Sequence, residues 1–161
     1  MAPKLHLSRN SLPVETRQHV VELLNVQLAT LIDLHSQSHQ AHWNVRGRAF
    51  FALHKLFDEV TALIETHIDT TAERITALGG DARGTVRMAG AASPLPDYPA
   101  RLENDIEHVA ALMERFALAA AATRAGIAEA DHQGDAGTTD LLTAISRDLD
   151  KGLWLLEAHR P

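Results

Sequence analysis

The chain contains no cysteine. This absence excludes disulfide bonds, cysteine-ligated iron–sulfur clusters and catalysis by a thiol. Long apolar runs are missing as well, because none approaches the length of about 18 residues that spans a bilayer, and the N-terminal stretch lacks the apolar core of a signal peptide. We therefore expect a cytoplasmic protein without a membrane segment.

Positive charge is scarce. Lysine and arginine together number 15 against 21 acidic residues, which gives a net charge of −6. Such an average surface repels nucleic acid, so any contact with DNA requires a local basic patch. Histidine, in contrast, is abundant, and the ten histidines favour metal chemistry.

The length of 161 residues and the hydrophobic content of 45% fit one domain with a substantial core. Apolar residues recur at helical spacing in four segments, without strand-like alternation or an internal repeat. The pattern predicts an all-α four-helix bundle with helices over 11–44, 49–78, 100–130 and 138–158. The residues predicted to face inward are Val20, Leu23, Leu24, Val26, Leu28, Leu31, Ile32, Phe51, Leu56, Val60, Leu63, Ile64, Ile68, Ile75, Leu102, Ile106, Val109, Leu112, Met113, Phe116, Ile127, Leu141, Leu142, Ile145, Leu149, Leu153, Trp154 and Leu156.

Helix-breaking residues separate these segments. Gly79 and Gly80 end the second helix, and Thr138 or Thr139 is a plausible cap for the fourth. Residues 81–99 are rich in glycine, alanine and proline and predict a long crossover with room for one short helical turn. A long crossover lets the third helix run beside its neighbours in a non-sequential order.

Four possible metal ligands lie on one face of the second predicted helix. At about 100° per residue, His54, Asp58, Asp69 and Glu73 fall within an arc of roughly 100°. They cannot all bind one metal, because the first and last are separated by about 28 Å along the helix, whereas metal–ligand bonds are about 2 Å long. The stripe therefore predicts two half-sites, which two antiparallel helices related by a twofold axis would complete at a subunit interface.

Further candidates lie at the end of the first helix. His42 precedes His54 by one short turn of chain and is a fifth ligand candidate. His35 is interpreted as a partly exposed histidine, whereas His39 could be an auxiliary ligand or could orient one. Trp43 could pack the helix end or donate electrons to a redox metal.

The remaining histidines show no partner at ligand spacing and are interpreted as surface residues. The carboxylate di-iron site of many four-helix bundles uses a Glu-x-x-His motif on each of two helices, and this sequence is interpreted as lacking the motif. A di-iron centre within one subunit is therefore not expected. The histidines concerned are His6, His19, His67, His108, His132 and His159.

Three stretches carry a resemblance over nearly the whole length: "AHWNVRGRAFFALHKLFDE", "IDTTAERITALGG" and "SRDLDKGLWLLEA". In this order they resemble the Dps proteins, the mini-ferritin family named for DNA protection in starved cells. The resemblance implies a ferritin-like four-helix bundle over 11–158, between a short tail at 1–10 and a C-terminal end at 159–161. It also implies a hollow shell of twelve subunits with ferroxidase sites between twofold-related partners.

Carried over by position, His42, His54 and Asp58 would come from one subunit, and Asp69 and Glu73 from its partner. The resemblance implies that iron(II) is oxidised there, preferentially by hydrogen peroxide, and is stored as a ferric mineral inside the shell, which protects the cell from oxidative damage. Zinc, which accepts the same ligands, could replace iron or inhibit the reaction.

Two further expectations follow from the resemblance. Acidic pores at threefold axes admit iron in similar proteins, and Asp131 and Asp140 match those positions with Asp135 close by, although a polar helix break would explain the same residues. Relatives often carry a lysine at the position of His39, so a salt bridge would be missing here and a third histidine could bind metal.

DNA binding is the alternative function. Relatives that condense DNA usually do so with a mobile tail bearing several lysines, but here the first ten residues offer only Lys4 and Arg9, and the C-terminal end offers Arg160. We predict weak or no DNA binding near neutral pH, and association with the nucleoid stays open. A structural DNA-compacting protein with an incidental metal site, or a bundle with zinc or nothing in its interface, remain the competing hypotheses.

Overall fold

The computed structural model describes residues 3–159. This range contains five helices and no strand, which confirms the all-α prediction. No helix within it is both long and apolar enough to cross a membrane. The helices are α1 (Val14–Asn44), α2 (Phe50–Ala77), α3 (Val86–Ala92), α4 (Asp105–His132) and α5 (Ala136–Glu157).

The four long helices form two antiparallel pairs. α1 packs mainly on α2 and α4 mainly on α5, because each pair is joined by only a few residues. Leucine, isoleucine, valine and phenylalanine side chains from all four fill the core, with Phe57 and Phe116 among the largest fully buried. Burying each side chain of this size contributes about 1.5–3 kcal/mol.

Gly79 ends α2 as predicted. Its φ of 88° lies in the left-handed region that glycine adopts without strain. The Gly79 carbonyl accepts a 2.7 Å hydrogen bond from the backbone N–H of His6, and the Gln18 amide donates to the Pro3 carbonyl at 2.9 Å. The N-terminal segment from Pro3 is therefore held against the bundle.

The crossover contains the short helix α3 and is fixed to the bundle by buried polar contacts. The Arg115 guanidinium, only 3% exposed, donates to the Asp97 carbonyl at 2.6 Å and to Gln37 Oε1 at 2.9 Å. The Gln37 amide in turn donates to the Pro96 carbonyl at 3.1 Å. These bonds join the crossover to both α1 and α4.

Three boundary predictions were wrong. The first helix begins at Val14 rather than at residue 11. α4 begins at Asp105 rather than at residue 100, because Asn104 caps it by accepting from the Glu107 N–H at 3.0 Å. Asp135, not Thr138 or Thr139, caps α5.

Four of the side chains predicted to face inward are exposed instead, because a helix can carry apolar residues beyond the stripe that its own bundle covers. Met1, Ala2, Arg160 and Pro161 lie outside the described residues, so most of the C-terminal end at 159–161 is not described. The division into a tail at 1–10 and a bundle at 11–158 stays a prediction. The four exposed side chains that were predicted to face inward are Val26, Phe51, Ile106 and Trp154, whose exposed fractions are 48%, 71%, 41% and 63%.

Candidate metal centre

His42 and His54 face each other where α1 ends and α2 begins. Nδ1 of His42 lies 2.9 Å from the backbone carbonyl oxygen of His54, and Nδ1 of His54 lies 3.0 Å from the carbonyl oxygen of His42. The two rings stack with centroids 3.8 Å apart, and Phe50 stacks on His54 at 5.2 Å. The sequence interpretation missed Phe50, which its spacing of four residues before His54 could have indicated.

These reciprocal bonds fix the protonation pattern of the neutral rings. A carbonyl oxygen only accepts, so Nδ1 of each ring carries the hydrogen. Nε2 of each neutral imidazole therefore keeps its lone pair, which is the arrangement a metal-binding histidine needs. Both rings are also held in orientation without a metal.

Asp58 joins the two histidines from the next turn of α2. Its Oδ1 lies 3.4 Å from Nδ1 of His42, and its side chain is 51% exposed while that of His42 is 14% exposed. The structure thus brings His42, His54 and Asp58 together in one chain. A half-exposed carboxylate beside two oriented imidazoles provides the mixture of oxygen and nitrogen ligands typical of iron or zinc.

Asp69 and Glu73 lie far along α2 from this group. Both are exposed, and neither side chain makes a hydrogen bond or ion pair within residues 3–159. Asp69 borders a cavity of about 410 Å³ between α1 and α2 that Leu28 and Ile68 also line. The described residues of a single chain hold no group of three or more histidine or acidic side chains placed to bind a metal.

Exposed aromatic side chains lie beside His42 and His54. Trp43 is 70% exposed, Phe51 71% and Phe50 45%. Exposed aromatic side chains grouped in this way are typical of a surface that another protein covers. Trp43 also stacks on His39, with ring planes 8° apart and centroids at 5.4 Å.

His35 and His39 continue the row of imidazoles along α1. Their ring centroids lie 4.7 Å apart, and His39 lies 6.2 Å from His42. Burial lowers the pKa of His35, and the neighbouring His39 lowers it further against the opposing effect of Glu65. His39 borders a second cavity, of about 380 Å³, with Asp58 and Glu65.

Two histidines interpreted as surface residues are not at the surface, since His108 is buried and His67 is half-buried. His108 is 3% exposed and shares a 2.7 Å hydrogen bond with the Tyr98 hydroxyl. The His67 side chain is 12% exposed and pairs with Asp148 at 2.7 Å. Asp148 lies 81 positions from His67, so sequence spacing could not have indicated that pair. Tyr98 lies ten positions before His108, but in the irregular crossover, where helical spacing does not apply.

One Glu-x-x-His motif does occur, at Glu129 and His132 near the end of α4. Glu129 pairs with His19 at 2.7 Å and accepts from Gln133 at 2.9 Å, and these contacts lower its pKa. No second helix supplies the matching motif, so the expectation against a centre of this type is unchanged.

The three aspartates considered for a pore differ in their surroundings. Asp131 and Asp140 are exposed. Asp135 is 2% exposed and binds Arg74 Nη2 at 2.6 Å and the Thr138 hydroxyl at 2.6 Å. Burial alone would raise the pKa of Asp135, but the bonds from Arg74 and Thr138 outweigh it and lower the pKa. Asp135 therefore acts within the subunit, which speaks against a pore role for it.

Comparison with known proteins agrees with this architecture. The family model of the ferritin-like domain matches residues 21–160. The chain is 42% identical to a DNA protection during starvation protein of Agrobacterium fabrum over 97% of this chain and 96% of that protein. It is 34% identical to one of Brevibacillus brevis over 88% and 95%, respectively.

Solved structures give the same result. DpsC from Streptomyces coelicolor superposes with a TM-score of 0.92 at 30% identity, covering 97% of this chain and 91% of that one. Mycobacterium smegmatis Dps superposes with a TM-score of 0.91 at 30% identity, covering 97% and 94%. The protein is thus a ferritin-like helical bundle. Within that class, the chain belongs to the Dps family.

Proposed function

We propose that the protein is an iron-storing ferroxidase. Its substrates are iron(II) and, preferentially, hydrogen peroxide, and its product is a ferric mineral held inside a cytoplasmic shell of twelve subunits. The observation that carries this proposal is the separation of one ligand set into two halves. His42, His54 and Asp58 form an oriented group, while Asp69 and Glu73 stand exposed and unpartnered within the described residues.

In the proposed site, His42, His54 and Asp58 of one subunit form the histidine half. It faces the carboxylate half, Asp69 and Glu73, of the twofold partner. Antiparallel packing of two α2 helices would bring them together twice per dimer. The exposed aromatic side chains around the histidine half support contact with another copy at this surface. Serving as the other half-site explains why Asp69 and Glu73 have no side-chain partner within residues 3–159.

The site residues contribute binding and charge. Each bound iron(II) gives one electron to hydrogen peroxide, whose O–O bond breaks, and the two oxygens leave as hydroxide or water after taking up protons. Because two irons supply both electrons, no hydroxyl radical is released. Hard carboxylate ligands favour iron(III) over iron(II), so Asp58, Asp69 and Glu73 assist the oxidation. Zinc at the same ligands would block it, since zinc is not redox active.

Asp131 and Asp140 are proposed to attract iron toward the inside of the shell. Both are exposed, Asp131 near the end of α4 and Asp140 near the beginning of α5, where symmetry would gather three copies around an axis. A ring of carboxylates concentrates divalent cations locally. Trp43 and His39 remain proposed auxiliary residues beside the site.

The test adds iron(II) without oxygen, then hydrogen peroxide, and separates the product by gel filtration. Twelve subunits of 17.6 kDa predict an assembly of about 211 kDa. Iron eluting with the protein at that size is the expected result. Protein at that size without iron would contradict storage, and a stable monomer would contradict the shared site.

DNA compaction is the second candidate, because the relatives' names include DNA protection. The structure offers little support for a mobile basic tail. Pro3 and His6 are bonded to the bundle, and His6 also pairs with Asp81 at 2.9 Å. Arg160 lies outside the described residues.

A further inference from the structure

One cavity lies beside the C-terminal end of α1, on the side of the helix opposite the proposed metal ligands. The proposed ferroxidase does not use it. It has a volume of about 470 Å³ and lies between the C-terminal end of α1 and the segment that leads into α4. Cavities that hold small molecules are typically about 300–1,000 Å³. Its lining includes Gln40, Asn44, Arg46, Arg101 and His108.

His108 gives this cavity a buried donor. The residue is 3% exposed, and its Nδ1 shares a 2.7 Å hydrogen bond with the Tyr98 hydroxyl. Nε2 has no hydrogen bond within residues 3–159. Among the solvent-inaccessible side-chain nitrogen and oxygen atoms in that range, only Thr71 Oγ1 lacks a hydrogen-bond partner. Nε2 of His108 therefore reaches solvent, and it does so through the cavity that this residue lines.

The Tyr98 hydroxyl determines which nitrogen of His108 carries the hydrogen. Burial raises the pKa of Tyr98, so the phenol stays protonated, and its hydroxyl has no other acceptor among the described residues. It therefore donates to Nδ1 of His108. Burial also lowers the pKa of His108, against the opposing effects of Glu107 and Asp105. The neutral ring then carries its hydrogen on Nε2, which donates into the cavity.

The other polar groups around the cavity are mostly donors. Arg46 and Arg101 bring two guanidinium groups, and Gln40 and Asn44 bring amides. Glu103 is the one carboxylate in the lining, so the net charge there is positive. Guanidinium groups with additional N–H donors bind phosphate oxygens preferentially. We propose that this cavity binds a small phosphate-bearing anion.

The groups in contact with the Tyr98 ring indicate which part of such a ligand the cavity recognises. The Arg115 guanidinium lies over the ring, 5.8 Å from its centroid, and the hydroxyl edge of the ring is hydrogen-bonded to His108. The lining holds no aromatic ring besides those of Tyr98 and His108 on which a nucleobase could stack. The phosphate group itself is therefore the recognised element, and inorganic phosphate should bind. This proposal does not depend on iron oxidation.

Isothermal titration calorimetry of the iron-free, assembled protein tests the proposal. Inorganic phosphate is titrated in one series and adenosine monophosphate in another, each at constant ionic strength. Saturable binding of phosphate is expected. Equal affinity for the two ligands would identify the phosphate group alone as the determinant, and tighter binding of the nucleotide would identify a nucleotide as the natural source.

The matched variants are Arg101→Gln and Arg147→Gln. Both side chains are exposed, but only Arg101 lines the cavity. Arg101→Gln should weaken phosphate binding at least about tenfold, because one charge-assisted hydrogen bond is lost. Arg147→Gln should leave it unchanged. Absence of saturable binding to the wild type, or equal weakening in both variants, would overturn the proposal.

Discussion

At the scale of single residues, the decisive feature is the pair of bonds between each histidine ring and the other's backbone. The sequence predicted that His42 and His54 would lie close, because a turn of five residues joins the helices that carry them. It could not predict that each Nδ1 would meet the carbonyl of the other residue. That contact depends on the exact crossing of α1 and α2, and it leaves Nε2 of each neutral ring with a free lone pair.

Removing either ring should slow iron oxidation. We expect His42→Ala and His54→Ala to lower the initial rate of ferric absorbance at least about tenfold, since even partners that only orient metal ligands are worth about 10–100-fold. Stopped-flow mixing of iron(II)-loaded protein with hydrogen peroxide measures this rate. His6→Gln serves as the control, because His6 is an exposed imidazole that is not among the proposed ligands. Wild-type rates in both site variants would contradict the ligand assignment.

At the scale of elements, the helices were predictable and their first residues less so. Hydrophobic periodicity indicated four long helices, and Gly79 and Gly80 correctly marked the end of α2. The beginnings of α4 and α5 depend on which polar side chain accepts from the first free N–H groups. Several nearby residues could do so, and only the folded chain selects Asn104 and Asp135.

Gly79 should be sensitive to substitution. A Cβ there would lie 2.9 Å from the His6 carbonyl oxygen in addition to forcing a positive φ. Gly134 also has a positive φ, but a Cβ there would meet nothing within 4 Å. We expect Gly134→Ala to cost about 1–2 kcal/mol and Gly79→Ala to cost more. Thermal unfolding midpoints measure the difference, and equal midpoints for the two variants would contradict the role given to the N-terminal segment.

The ion pair between Arg74 and Asp135 connects the end of α2 to the cap of α5. Asparagine at position 135 could still cap the helix but would lack the charge. Because Asp135 is buried, we expect Asp135→Asn to destabilise the protein by about 2–4 kcal/mol at pH 7. Asp131→Asn is the control, since Asp131 is exposed.

The effect of Asp135→Asn should depend on pH in one direction. The pKa of Asp135 is lowered in the folded protein, so its contribution is complete above the unfolded pKa of about 4 and is lost as the pH falls through the folded pKa. The difference in unfolding midpoint between wild type and Asp135→Asn should therefore shrink below about pH 4. A difference that stays constant down to pH 2 would show that charge is not responsible.

At the scale of the whole molecule, the surface charge and the fixed N-terminal segment argue against tight DNA binding. With a net charge of −6 per chain, we expect no shift of linear DNA in a gel at neutral pH and physiological salt. Lower pH should strengthen any binding, because protonated histidines reduce the repulsion. A tight complex at neutral pH would contradict this prediction and favour the structural function.

Only part of the candidate site could be predicted from the sequence. The spacing of His54, Asp58, Asp69 and Glu73 on one helix predicts two half-sites that a second copy would complete, and this stays a prediction. The burial and ion pairing of Asp135 could not be predicted, because its partner Arg74 lies 61 positions away in sequence. Sequence periodicity reports which residues share a face, whereas burial of a single carboxylate depends on tertiary contacts.

Complementation between half-site variants tests the shared site most directly. His54→Ala damages only the histidine half, and Glu73→Ala only the carboxylate half. In shells assembled from an equimolar mixture of dissociated subunits, about a quarter of the sites would combine two intact halves if partners mix at random.

The measurement is the rate of iron(II) oxidation by hydrogen peroxide in each pure variant and in the mixed shell. We expect slow oxidation by both pure variants and recovery of about a quarter of the wild-type rate in the mixture. A mixed shell no faster than the average of the two pure variants would contradict a site shared between subunits.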